Sequence, residues 1–280
     1  MEALPYLSLV AAGAFTAGIV GALTGEGGGI ILVPMLVLLF DVNMHNAAGA
    51  SLIAVTATST AATIAFLSQG YTNLRIGMFL QTTSIGGGIT GALLAALVPV
   101  PALLATFGAV LLYSSYMSFC RKEESEPDRP SDSLAVRLHM ESSYPVLGGW
   151  RPYKVFRVIP GALLMGVAGI ISGLLGIGAG ALNVLVMDQV MRLPYKVSTT
   201  TSNFMIGITA TGSAGVYLHR GYIDPVLTMP VVLGIFLGAA VGARLLMIVR
   251  VKPLRVFFSV LVLVAALEMI YKGLARGVLH

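Results

Sequence analysis

What this sequence has least of is charge. Asp, Glu, Lys and Arg supply only 10% of its 280 residues, against about 25% in a soluble domain. Its 17 basic and 12 acidic side chains cannot cover the surface of a 29.2 kDa water-soluble globule, which excludes a soluble enzyme. The basic residues are not gathered into a stripe interleaved with aromatics, which excludes a nucleic-acid partner. A single cysteine, Cys120, rules out an intramolecular disulfide and a thiolate metal cluster. There is no H-E-x-x-H motif and no pair of aspartates within an apolar stretch, so neither enzyme chemistry, a cofactor nor a bound metal is expected. Apolar residues, by contrast, reach 56% and mean hydropathy +0.89. That is the composition of a polytopic membrane protein.

A helix needs about 20 apolar residues to cross the hydrocarbon core. Ten apolar segments can be read, at 4–24, 30–40, 45–68, 76–98 and 102–119, then at 156–175, 181–191, 196–218, 226–249 and 253–271. Two of them, 30–40 and 181–191, are short. Between the two sets of five, residues 121–152 carry charges of both signs with Pro and Ser, the composition of a mobile aqueous loop. The expected fold is therefore all-α, with a first transmembrane repeat at 1–119, a polar cytoplasmic loop at 120–155 and a second repeat at 156–280. The chain opens on Met1-Glu2 without a basic leader, so its first segment reads as a span and not as a cleaved signal peptide. The expected location is the plasma membrane, with the lipid bilayer as a partner and a homodimer compatible with the composition.

The two halves are copies. Shifting the chain by 151 residues aligns Leu23 to Leu112 with Leu174 to Leu263 without a gap, with 21 identities in 90 pairs; composition alone gives roughly a tenth. Gly25, Gly27 and Gly29 meet Gly176, Gly178 and Gly180, Ser51 meets Ser202, and Gly70-Tyr71 meets Gly221-Tyr222. If all ten segments cross, 13 Lys and Arg fall on one side and three on the other, and the basic side is cytoplasmic. Five crossings per repeat make the halves inverted copies, an architecture of secondary transporters.

The informative sites are the glycine clusters Gly25-Glu26-Gly27-Gly28-Gly29 and Gly176-Ile177-Gly178-Ala179-Gly180. A glycine costs about 1 kcal/mol in a helix interior, so each cluster predicts a broken helix. Broken backbone at membrane depth survives only inside protein or beside a wet cavity. The helix after each break presents its first amides and its positive dipole end, and two such ends together make an anion site without Lys or Arg. Close helix packing is the competing explanation, and it suffices for Gly87-x-x-x-Gly91 and Gly238-x-x-x-Gly242.

Polar side chains follow each break. Ser51 and Ser202 occupy matching positions, and Asn183 and Asn203 offer amides to the same pocket. Thr56, Thr58, Ser59, Thr60 and Thr63, with Thr209, Thr211 and Ser213, continue a polar face, unless their hydroxyls simply bond back to their own helices. Glu26 sits within a break, where burial would raise its pKa and suit it to proton coupling, or solvent would leave it ordinary. His45 and Lys196, aligned at segment starts, are candidates for capturing anions at the inner mouth, or for snorkelling to the interface.

The doubled glycine break, the His45 and Lys196 helix starts with Ser and Thr behind them, and the Gly-Tyr turns resemble the TauE/SafE sulfite-exporter family of membrane permeases. Gly25, Gly27, Gly28 and Gly29, with Pro34 after them, match the first family motif. Gly176, Gly178 and Gly180 match the second, where Ala179 replaces a glycine and Leu185 stands in place of a proline. The resemblance implies transport of a small anionic solute, sulfite or an organosulfonate, coupled to the proton gradient. The competing functions are a cation or metal permease, which lacks clustered ligands, a membrane scaffold or assembly subunit, and an intramembrane enzyme, for which Ser51 and Ser202 have no base nearby in sequence.

Overall fold

The structure, a computed structural model, describes residues 3–24, 27–67, 70–119, 131–146, 149–245 and 251–278. It is a predominantly α-helical membrane fold. The first half runs α1 (Ala3–Thr24), α2 (Gly29–Pro34) with a π-helical continuation Met35–Leu39, α3 (Met44–Leu67), α4 (Leu74–Ala95) and α5 (Val100–Phe119). A short helix α6 (Ser133–Arg137) and a hairpin of β1 (Ser142–Val146) and β2 (Gly149–Tyr153) follow. The second half runs α7 (Val158–Leu175), α8 (Gly180–Leu185) with π-helical Val186–Val190, α9 (Tyr195–His219), α10 (Pro225–Leu245) and α11 (Val251–Val278). Among the described residues, Pro5–Thr24, Met44–Ile64, Val158–Leu175 and Pro225–Leu245 are long and apolar enough to cross a bilayer; Gly29–Leu39 and Val100–Tyr116 are shorter apolar helices.

The repeat is carried into the backbone. Under the shift of 151 residues, α2 falls on α8 and the two π-helical turns fall on each other residue for residue. The left-handed residues also recur as pairs, Asp41 with Arg192 and Gly70 with Gly221. The π-helical turn follows Pro34 in one half and Leu185 in the other, so the missing proline amide is not its cause. Packing exchanges the halves as well: α1 lies on α10 as α7 lies on α4, α3 lies on α10 as α9 lies on α4, and the equivalent pairs α3–α9 and α5–α11 pack on themselves.

Glycines set the register of these pairs. Gly87 and Gly91 abut the α7 backbone at Gly166 and Ile170, and Gly238 and Gly242 abut the α1 backbone at Phe15 and Ile19, both pairs running parallel. In α5–α11, Gly108 faces Ala266 and Ile270 whereas Gly273 faces Pro101 and Leu104, so these helices are antiparallel. So are α3 and α9: Gly49 near the start of α3 abuts Tyr222 beyond the end of α9, and Thr201 near the start of α9 bonds Asn73 beyond the end of α3.

The expectation of a structureless loop over 120–155 needs correction for residues 131–155. Ala135, Met140, Tyr144, Tyr153 and Val155 are buried in one cluster with Ile76, Leu80, Met187 and Met191 of the helices. Asp132 caps α6 through the Leu134 N–H (3.3 Å) and also accepts from the Val158 N–H that opens α7 (3.0 Å). Polar flanks hide this apolar alternation from a compositional reading. Residues 120–130 lie outside the described residues.

Candidate functional site

Each helix break rests on left-handed backbone. Gly27 (φ 73°) and Gly28 (φ 77°) turn the chain from α1 into α2; Gly176 (φ 75°), Gly178 (φ 77°) and Ala179 (φ 63°) do so between α7 and α8. Glycine takes this region freely and alanine at a cost. The sharp turn sends α2 back along α1, so that Gly13 of α1 abuts Met35. In the second half Gly161 abuts Met191 in the same way. Gly25 and Glu26 lie outside the described residues.

The two breaks meet where α3 crosses α9. A Cβ on Gly27 would lie 3.1 Å from both Val55 and Ile206. One on Gly178 would lie 2.6 Å and 2.7 Å from the same two residues, which are themselves equivalent positions. A Cβ on Gly29 would lie 2.9 Å from the Ile177 carbonyl oxygen and 3.0 Å from Ser51 Oγ. The structure thus brings Gly27, Gly29 and Ser51 of the first half to Ile177 and Gly178 of the second, whereas Gly28 faces Ala17 and Ile235 and Gly176 faces Ala48. Regular helix bonding resumes at Leu32 N–H to Gly28 C=O (2.9 Å) and at Asn183 N–H to Ala179 C=O (2.8 Å); ahead of them Ile31 N–H also bonds Gly28 C=O (3.1 Å) and Gly27 N–H bonds Gly21 C=O (3.3 Å), and the rest of each first turn is where a helix leaves amides without an intrahelical acceptor.

The polar side chains here behave unlike those further along. Thr56, Thr58, Thr60, Thr209, Thr211 and Ser213 each donate to a carbonyl four residues back, at 2.7–3.3 Å. Thr209 also accepts from Gln81 Nε2 (2.8 Å) and pairs with Ser84 (3.1 Å), and Thr63 Oγ1 is buried with no partner. Ser59 bonds the Asn203 carbonyl and accepts from the Gly207 N–H, tying α3 to α9. At the breaks, Ser51 Oγ, both side-chain polar atoms of Asn183, Thr199 Oγ1 and Asn203 Oδ1 are buried with no hydrogen-bond partner. Ser202 Oγ donates to the Gly180 carbonyl (3.2 Å), and Asn203 Nδ2 to the Thr199 carbonyl (3.1 Å). An unmatched buried polar group costs about 1–3 kcal/mol. Four residues around the breaks carry that cost, as do Thr63, Gln81 and Thr228 elsewhere. Thr199 was not singled out by sequence; its alignment with Ala48 hides it.

Ser51, Asn183, Ser202 and Asn203 are each 0% exposed, so the site is closed to solvent in this conformation. His45 and Lys196 do not share a mouth. His45 stacks on Tyr222 (centroids 4.8 Å apart) and Lys196 lies over Tyr71 (5.4 Å). Because α3 and α9 are antiparallel, the two residues sit at opposite ends of the bundle. The expectation of a single inner mouth holding both is corrected accordingly; aligned positions of inverted helices cannot face the same side.

The sequence profile of a family described as "Sulfite exporter TauE/SafE" matches residues 10–269. Two relatives from Bacillus subtilis (strain 168) are described as probable membrane transporter proteins. YunE is 25% identical over 92% of this chain and 95% of its own length, and YdhB is 26% identical over 82% and 86%. A third, ORF9 from Sinorhizobium sp, is 24% identical over 91% of this chain and 89% of its own. No solved structure shows a significant match.

Proposed function

The chain belongs to the TauE/SafE sulfite-exporter family, and from that premise we propose that this multi-pass membrane transporter carries a small sulfur-containing oxyanion, sulfite or an organosulfonate, out of the cell by alternating access. The observation that carries the reading is the meeting of two left-handed helix breaks beside buried, unpartnered Ser51, Asn183, Thr199 and Asn203. Backbone amides at the breaks and the hydroxyl and amide donors grip oxygen atoms without a buried cation, whose desolvation would cost far more. The orphaned acceptor Asn203 Oδ1 suits a solute that carries a proton, as hydrogensulfite does.

Alternating access follows from inverted halves. Antiparallel packing of equivalent helices in α3–α9 and α5–α11 supports that inversion, since a two-fold axis lying in the membrane plane relates them. The end holding Arg75, residues 131–157, Arg192 and Lys196 is then cytoplasmic by its basic excess. The closed site corresponds to an occluded state. Glu26 supplies the proton: a carboxylate beside an anion site repels the solute unless protonated.

The test is counterflow in proteoliposomes with labelled sulfite, sulfate and a taurine-like sulfonate. Saturable exchange of sulfite or the sulfonate, abolished by Ser51→Ala with Asn203→Ala, is the expected result. Exchange of none of the three above empty liposomes refutes the substrate class.

A further inference from the structure

We propose that the two Gly-Tyr turns are the gates of the transporter, with Tyr71 closing one end and Tyr222 the other, each by seating its ring on the basic residue that opens the opposing core helix. This rests on the alternating-access reading above and assigns the residues that perform it. Tyr71 belongs to the turn between α3 and α4, yet its ring lies against Lys196 at the start of α9, 5.4 Å from Nζ to centroid. Tyr222 belongs to the turn between α9 and α10, yet its ring lies 4.8 Å from that of His45 at the start of α3, tilted 32°. Both members of each pair are related by the shift of 151 residues: His45 to Lys196 and Tyr71 to Tyr222. A cation over a tyrosine face and a stacked imidazole are different chemistries. The geometry has been kept while the chemistry has changed.

Their depth fits a gate. Tyr71, Tyr222 and His45 are half-buried and Lys196 is exposed, whereas the next residues inward, 47–51 on α3 and 197–203 on α9, are all buried. Six residues, about 9 Å of helix, separate each basic residue from Ser51 or Ser202 at the breaks. Each pair thus lies between the closed site and one end of the bundle, where a left-handed glycine, Gly70 or Gly221, lets the turn pivot.

The two gates are not equally braced. The Tyr71 hydroxyl donates to the Pro145 carbonyl of the hairpin (3.1 Å), and the neighbouring Asn73 amide donates to the Met140 carbonyl (2.8 Å) and to the Tyr153 phenol oxygen (2.7 Å). At the other end His45 Nε2 lies 3.2 Å from the Ala95 carbonyl, the Tyr222 N–H donates to the Tyr217 carbonyl (3.1 Å), and the Tyr222 ring meets the edge of Tyr217, 5.9 Å away. The Tyr71 ring is thus tethered to the hairpin through its hydroxyl, whereas Tyr222 is held through its main chain.

The experiment reads access rather than flux. In a Cys120→Ser chain, Ser51→Cys is the reporter, labelled by a membrane-impermeant maleimide applied to right-side-out or inside-out vesicles. Tyr71→Leu is expected to raise labelling about fivefold from the cytoplasmic face alone, and Tyr222→Leu from the outer face alone; that factor matches loss of one partly exposed ring contact. Tyr222→Phe, which keeps the ring, stays near the parent; Tyr71→Phe, which keeps the ring but loses the bond to Pro145, rises by less than Tyr71→Leu. Labelling that rises from both faces in either Leu variant, or in neither, overturns the assignment, as does a Phe variant that labels like Leu. A failure to transport sulfur oxyanions leaves these rates unaffected, so the two proposals fail separately.

Discussion

Replacing Gly29 by alanine tests whether the meeting of the two breaks is the transport site. A methyl there would stand 2.9 Å from the Ile177 carbonyl oxygen, 2.9 Å from Val55 Cγ2 and 3.0 Å from Ser51 Oγ. The first of these is main chain of the opposite break and cannot swing away, so the halves must separate by about half an ångström to reach ordinary contact. Inserting a methyl into packed protein costs about 1–3 kcal/mol. Gly29 is outside the left-handed set, so the cost is crowding alone. The same methyl also covers the orphaned Ser51 hydroxyl. Gly29→Ala should lower Tm and cut proteoliposome exchange tenfold or more, since about 1.4 kcal/mol on the barrier is a factor of ten.

Two controls separate crowding from general glycine effects. A Cβ on Gly86 meets nothing within 4 Å in α4, so Gly86→Ala should gain about 1 kcal/mol of helix propensity and keep exchange intact. Gly149 also has open space, but at φ 139°, so Gly149→Ala loses about 1–3 kcal/mol to backbone strain with little effect on exchange. Wild-type exchange by Gly29→Ala, or equal loss in all three, refutes the reasoning.

Asn183→Leu installs the residue that the first half carries at this position, Leu32; removing two unpartnered polar atoms should raise Tm by relieving about 1–3 kcal/mol while abolishing exchange, and retained exchange would remove Asn183 from the site. Glu26→Gln should flatten the pH dependence of exchange, and an unchanged profile would end its role in coupling. Burial pushes the Tyr153 phenol above its usual range, against the hydrogen bonds with Asn73 and Ser142. With a folded-state pKa above the unfolded value of about 10, the hairpin's docking is complete below that pH and is lost as pH climbs past it. Limited proteolysis at pH 9 and pH 11 should show cleavage near the hairpin only at the higher pH, and Tyr153→Phe should abolish the difference.

The helices and the breaks were legible for one reason: both are written in backbone terms. Apolar length marks a span, and clustered glycine marks left-handed backbone, so the segments at 30–40 and 181–191 reappear as Gly29–Leu39 and Gly180–Val190. Long-range chemistry was less legible. Nothing local to Asn73 shows that its amide holds Met140 and Tyr153, and the Pro and charge around the hairpin mask its buried tyrosines. The polar face on α3 and α9 was visible as a pattern, but only coordinates separate Thr56, which bonds back to Leu52, from Ser51, which bonds nothing. His45 and Lys196 show the same limit. Alignment makes them equivalent, and the antiparallel packing of their helices then places them at opposite ends.

Duplication also explains which features stayed paired. The breaks need left-handed backbone on both sides, and only Ala179 departs from glycine among the described residues that supply it there. The side chains around them are under no such constraint. Asn183, Thr199 and Asn203 stand opposite Leu32, Ala48 and Leu52, leaving Ser51 and Ser202 as the shared pair among these positions. Gln81 and Ser84 of α4, which bond Thr209 of α9 at 2.8 and 3.1 Å, show the reverse, since Val232 and Ile235 of the second half stand opposite them. At the breaks themselves most of the polar side chains belong to the second half, with Ser51 the member from the first. On the proposed transport reading, a pocket with most of its polar groups on one side holds a solute in one orientation, whereas two equal sides offer it two competing poses.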